Sequence, residues 1–271
     1  MKQMNKLKRY LILSVLIGLV GVVSSCNDVI YTDEYIQQAI ESGELTEIVI
    51  DSVYFDKIDA GCKYYIEYSQ STDAPCVVAV VETSKLPVLD IRVQDSTLIA
   101  KIATCDSLGM DKDAYDSILW NDNGVVPFII RCNSNNLRSI HTVNNPTIRI
   151  ASLFKTDKLD VDMEAYGKLK NDATLNIKEL NIKTSGEVKL FGNVDSANIV
   201  VLGGGRIHSP GLDIDDLKLD ISTDDNGRDC KVGIINNTLD LLIVGSTVFT
   251  YKGEPRIINQ YVDKNATVIN E

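Results

Sequence analysis

Leu180-Asn-Ile-Lys-Thr-Ser-Gly-Glu-Val-Lys-Leu-Phe-Gly192 is the stretch whose reading decides the fold. Leu180 and Ile182, then Val188 and Leu190, alternate with polar residues, the period of a strand with one face buried. Between the two pairs Ser185-Gly186 offers a corner, where glycine permits close backbone approach. The plan returns from Leu159 (LDVDMEAYGKLKND), Ile199 (IVVLGGGRIHSPG), Leu217 (LKLDISTDDNGRDCKVGIINN) and Leu239 (LDLLIVGSTVFTYKG). The passes begin 21, 19, 18 and 22 residues apart. One such pass cannot bury its apolar side alone, but stacked passes can. The spacing therefore predicts an all-β chain whose residues 137–271 wind as a right-handed parallel β-helix-like solenoid of about six coils. Its inward residues include Leu217, Leu219 and Ile221 with Val232 and Ile234, and Leu239, Leu241 and Ile243 with Val248. The competing layout is a meander of antiparallel hairpins. That layout wants two-residue Asn-Gly turns, and Asn226-Gly227 is the one clean case.

Before the repeats, residues 47–136 read as a β-strand entry region. Cys62-Lys-Tyr-Tyr-Ile-Glu-Tyr, Cys76-Val-Val-Ala-Val-Val, Val88-Leu-Asp-Ile-Arg-Val and Leu98-Ile-Ala-Lys-Ile are rich in β-branched and aromatic residues and separated by polar turns. Residues 105–124 break this pattern as an insertion, partly helical around Asp113 to Trp120. Trp120 there is either a contact residue or folded back onto the core. At the far end, Val268-Ile-Asn-Glu271 is expected to cover part of the open edge of the stack.

The first 25 residues have the anatomy of an export signal. Lys2, Lys6, Lys8 and Arg9 precede the apolar run from Leu11 to Val23, which is too short to span a bilayer. Val23-Ser-Ser-Cys26 resembles a lipobox, which would make Cys26 an acylated N-terminus and residues 26–46 a spacer off the membrane. Within that spacer, Thr32-Asp-Glu-Tyr-Ile carries a helix-start signal, and the helix ends near Gly43. The implied address is the cell envelope, in an outer-membrane lipoprotein, with the membrane as a partner through the anchor.

The leader holds four of the 27 basic residues; against 38 Asp+Glu the remaining chain carries −15, compared with −11 overall. Such a surface repels nucleic acid and anionic head groups. Cys62, Cys76, Cys105, Cys132 and Cys230 cannot all pair, so one or two bridges at most are expected. Their spacing matches no zinc site.

The sequence calls for no metal and no cofactor. His141 and His208 are the only histidines, and neither lies in a metalloprotease, nucleophile-elbow or P-loop pattern. The enzyme alternative is a glycan-cleaving β-helix, a polysaccharide hydrolase or lyase, built on Asp224, Asp225 and Arg228. Asp224-Asp-Asn-Gly-Arg-Asp also reads as a turn. Five Asp-Ser-X triplets, with Ser52, Ser96, Ser107, Ser117 and Ser196, resemble an O-glycosylation sequon of envelope proteins.

The Leu180 run, Leu239-Asp-Leu-Leu-Ile-Val-Gly-Ser and the closure Tyr251-Lys-Gly-Glu-Pro255 together resemble the auto-transporter adhesin head domain (GIN domain) family. Phe55-Asp-Lys-Ile-Asp-Ala-Gly61 and Leu98-Ile-Ala match the opening of that family, so the resemblance runs from about Ile48 to the C-terminus. The chain departs from the family in its corners Ala165-Tyr166-Gly167 and Thr223-Asp224-Asp225, in the insertion, and in Asn133 to Asn136. The resemblance implies a β-helical envelope lipoprotein without catalysis, an adhesin-like binding or scaffold module whose partner is a glycan or an envelope or host protein.

Overall fold

The computed structural model describes residues 33–61, 64–119, 128–223 and 228–271. The chain divides after Gln38, and Ala39–Glu271 forms one compact unit. Helix α1 (Asp33–Ser42) crosses that division. It ends where Gly43 adopts a positive φ and donates its N–H to the Ile40 carbonyl, a common helix stop.

The second unit opens with β1 (Leu45–Asp51), β2 (Lys57–Gly61), β3 (Tyr64–Gln70) and β4 (Cys76–Glu82). A 3-10 turn at Thr83–Val88 leads to β5 (Leu89–Gln94) and β6 (Thr97–Ile102). The insertion forms two short helices, α2 (Cys105–Leu108) and α3 (Lys112–Leu119), and the chain then enters β7 (Phe128–Ser134). From here strands of two lengths alternate. The shorter ones are β8 (Ser139–Val143) and β9 (Thr147–Ile150), followed by β10 (Phe154–Met163), β11 (Lys168–Asn171), β12 (Leu175–Thr184) and β13 (Glu187–Lys189). They continue as β14 (Phe191–Leu202), β15 (Arg206–Ser209), β16 (Gly211–Ser222), β17 (Cys230–Val244), β18 (Val248–Lys252), β19 (Arg256–Val262) and β20 (Thr267–Asn270).

Each strand of the repeats pairs in parallel with the one a full turn later: β10 with β12, β12 with β14, β14 with β16, β16 with β17, and β17 with β19. On the other side of the coil β9, β11, β13 and β15 do the same. The result is a β-solenoid of about six turns. Antiparallel pairs occur only among β1, β4 and β7 and between β5 and β6, among the described residues. The meander is thereby excluded.

The core is the column of inward side chains. Leu159, Leu180, Ala197, Leu217 and Leu239 stack in register, and all are buried. A fully buried Leu contributes about 1.5–3 kcal/mol relative to an exposed one, so the column is a major part of the cohesion between coils.

The structure corrects the expected register in three places. The residue that stacks on Leu180 is Ala197, not Ile199, which instead pairs with Ile182. A slip of two residues keeps every side chain on its own face, so alternation alone could not detect it. In the fourth coil Ile234 is exposed and Ile235 is buried, because the pairing of β17 with β18 shifts between Lys231 and Ile234. In the coil after it Phe249, not Val248, fills the interior.

The entry region is also more closely tied to the solenoid than a division at residue 137 implies. β2 lies in parallel between β6 and β8, and β3 lies in parallel between β7 and β9. The chain makes one coil with β2 and β3, leaves to build the end of the stack, and returns on the other side of that coil. Asp56, buried at the start of β2, fastens the return: its carboxylate accepts from Arg138 and its carbonyl from the Arg138 and Ser139 N–H groups.

The two ends of the stack differ. β1, β4 and β5 close one end with antiparallel strands. At the other end, among the described residues, β20 pairs only with β18, and β19 only with β17. The C-terminal residues therefore add a strand instead of covering the edge, and Ile257, Ile258, Tyr261 and Ile269 are exposed there.

Candidate ligand-binding face

Corner glycines hold the coils close enough for outward side chains to line up. A Cβ on Gly186 would lie 2.1 Å from the Gly167 carbonyl oxygen of the coil before, so only glycine fits the stacked corner. Between corners, neighbouring strands stand about 4.8 Å apart, and residues some twenty positions apart in sequence become neighbours in a column.

On the side built by β7, β3, β9, β11, β13, β15 and the start of β17, one such outward column runs Arg131, Glu67, Arg149, Lys170, Lys189, His208, Lys231. Register pairs link Arg131 to Glu67, Glu67 to Arg149, Arg149 to Lys170, Lys170 to Lys189, and His208 to Lys231. A second column beside it runs Tyr65, Thr147, Lys168, Glu187, Arg206. Seven cations thus share these strands with the carboxylates of Glu67 and Glu187, and Asp172 and Glu271 reach them from the margins. The opposite side, built by β2, β8, β10, β12, β14, β16 and the end of β17, has a different balance. Its columns hold Asp59, His141, Asp162, Lys183, Val200, Asp220 and Ser139, Asp160, Asn181, Asn198, Lys218, Asp240.

Several of the cations are fixed by partners. Arg149 bonds to Glu67 at 2.8 Å and to Asp172. Burial works against its charge, but the hydrogen bond to Asp172 and the charges of Tyr65, Asp172 and Glu67 outweigh burial and raise its pKa. Lys189 lies 3.0 Å from Glu187, and Lys231 holds the Glu271 carboxylate at 2.8 Å. Lys170 stands over the Tyr65 ring, 5.6 Å from its centre. Lys168 and Arg206 have no carboxylate within ion-pair distance among the described residues. His208 titrates below the ordinary range because it is partly desolvated and because Arg206, Lys189 and Lys231 oppose a further positive charge. Tyr166, 66% exposed, flanks this face at the corner, next to Gly204 and the Arg228 guanidinium.

The residues singled out from sequence are dispersed. Arg228 is exposed beside Gly204, whereas Asp224, Asp225, Trp120 and Cys26 lie outside the described residues. Ser52, Ser107, Ser117 and Ser196 are exposed and Ser96 is half-buried. Ser52 and Ser96 take positive φ at tight turns. The two histidines are on different sides: His141 stands in register between Asp59 and Asp162, and His208 lies in the cationic column. No group of three or more His, Cys, Asp or Glu is placed to hold a metal among the described residues. Cys76, Cys105, Cys132 and Cys230 are unbridged thiols. Sequence reading missed the cationic columns, since their members are never adjacent in sequence. The signal was present in Lys168, Lys170, Lys189, Arg206 and Lys231, each at a polar slot of a second apolar pair.

Comparison with known proteins follows this architecture. The family model described as "Putative auto-transporter adhesin, head GIN domain" matches residues 54–255. The fold is similar to that of a "putative adhesin" from Bacteroides fragilis NCTC 9343, at 22% identity and a TM-score of 0.65, covering 84% of this chain and 97% of that one. It is similar also to a "putative adhesin" from Parabacteroides merdae ATCC 43184, at 18% identity and TM-score 0.57, with 84% and 97% covered. A "putative lipid binding protein" from Parabacteroides distasonis ATCC 8503 aligns at 18% identity and TM-score 0.55, over 84% and 94%. Among curated proteins the sequence finds no match.

Proposed function

The chain belongs to the auto-transporter adhesin head (GIN) domain family, and we propose that it serves as a lipid-anchored, non-catalytic, adhesin-like module of the cell envelope that binds through a flank of its solenoid. The observation that carries this reading is the side built by β3, β7, β9, β11, β13 and β15. It is a continuous set of in-register outward columns, a repeated surface of the kind solenoids use for recognition. The lipobox-like Val23-Ser-Ser-Cys26 and the spacer behind it support the anchor. The non-catalytic reading is supported by the surroundings of His208, where partial desolvation, with Arg206, Lys189 and Lys231 outweighing Glu187, holds the ring toward its neutral form.

Metabolic labelling with an alkyne fatty acid tests the anchor: labelled wild type and unlabelled Cys26→Ala are expected, and equal labelling of both refutes it. Protease shaving of intact cells tests the presentation. Loss of the protein from unpermeabilised cells is expected, and full protection argues for the inner face of the membrane. A binding role predicts that cells lacking the chain adhere less to their natural surface, with adhesion restored by the chain on a plasmid.

A further inference from the structure

We infer that the cationic side of the solenoid binds a linear acidic polysaccharide laid along the stack, across the coils, with its carboxylate or sulfate groups over Lys168 and Arg206 and along the column of Arg149, Lys170 and Lys189 beside them. This rests on the adhesin-like reading and gives it a ligand class. The chain beyond its leader carries −15, yet two adjacent outward columns hold seven cations against Glu67 and Glu187 within the columns and Asp172 and Glu271 bonded at their margins. Randomly distributed charges on so acidic a protein would not leave one side positive. The solenoid stacks its coils about 4.8 Å apart, so Arg149, Lys170 and Lys189 follow one another at that spacing, with Glu67 and His208 standing between them and the outer cations Arg131 and Lys231. That rise is regular and runs in a straight line, which suits an extended polymer of repeating anionic units better than a compact anion.

Two further features favour a sugar polymer. Lys168 and Arg206 have no carboxylate at ion-pair distance among the described residues, so part of the positive charge is available to a ligand. Tyr166, 66% exposed, stands at the corner of this side, and a flat aromatic face with a polar edge is suited to partly apolar, partly hydroxylated rings. The acidic remainder of the surface repels polyanions that approach elsewhere, which restricts binding to this side.

The test uses the purified full chain and fluorescein-labelled polygalacturonate, with neutral dextran, poly-glutamate and single-stranded DNA as comparison probes. At low salt (about 20 mM) polygalacturonate is expected to bind, and at about 300 mM its affinity should fall at least tenfold, because exposed charges are then screened. Lys168→Glu/Lys170→Glu/Arg206→Glu should weaken binding at least tenfold. Lys183→Glu/Lys218→Glu, the same kind of change on the opposite side, should alter it less than twofold. The milder Lys168→Gln/Lys170→Gln/Arg206→Gln, with an unchanged melting temperature, keeps the test valid should the charge reversal disturb folding. No binding at low salt, equal losses from the two sides, or equally tight binding of poly-glutamate or DNA each overturns the inference. Whole-cell adhesion of the same variants separates this inference from the adhesin-like reading. Adhesion that depends on the chain, together with absent polyuronate binding, overturns only the ligand class; adhesion that does not depend on the chain overturns the broader reading.

Discussion

Gly186→Ala is the sharpest test of the stacked corner. The added Cβ would sit 2.1 Å from the Gly167 oxygen and 2.9 Å from its nitrogen, where ordinary contact needs about 3.5 Å. The corner must therefore open by roughly 1 Å. The Glu187 N–H bond to that same Gly167 oxygen, 2.8 Å long, would then stretch beyond hydrogen-bonding distance. Losing a buried backbone bond costs about 1–3 kcal/mol, and overpacking costs about 1–3 kcal/mol. Alanine returns about 0.4–1 kcal/mol by restricting the unfolded chain. The net loss is about 3 kcal/mol, or a fall in Tm of about 6–12 °C for a domain of this size. Gly204→Ala is the control, because its Cβ would meet nothing closer than 3.9 Å, and a change within about 0.5 kcal/mol is expected. Thermal melts followed by circular dichroism compare the two directly. Equal melting temperatures would refute the coil-on-coil contact at this corner.

Other expectations follow from single residues. Leu180→Ala, at a site with no solvent exposure, should cost about 2–5 kcal/mol, measured as a shift in the denaturation midpoint. Arg138→Ala should lower the melting temperature further than Asp56→Asn, since it leaves a buried carboxylate without its charge partner, whereas the exposed Arg138 simply rehydrates. Burial, aided by the hydrogen bond to Asp51, pushes the Cys76 thiol up to about 11. Iodoacetamide should therefore alkylate it slowly at pH 8 and faster as pH approaches that value, and Asp51→Asn should speed the reaction at pH 8. The ring of His208 should show an NMR titration midpoint below 6.5, rising in Lys189→Glu. Because the unfolded chain binds this proton more readily than the folded one, the contribution of His208 to stability is constant above about pH 6.5 and declines as pH falls through that value.

Part of this protein is determined by its sequence alone. Alternation at Leu180, Ile182, Val188 and Leu190 fixes which side chains face inward, because a strand has period two. A residue such as Gly186 between the two pairs fixes where the chain turns, because a side chain would strike the coil below. Together they specify a coil that is incomplete until stacked. What period two cannot specify is a shift of two residues or the order in which coils lie, and the tertiary structure decided both. Ala197 sits over Leu180, and β2 and β3 lie between strands made later in the chain, because any shift of two residues keeps the same faces inward and leaves the register to the packing of whole coils. The cationic side has the same origin. Lys170, Lys189 and Lys231 are separate polar slots along the chain, and only the stacking of backbone on backbone brings them into one line.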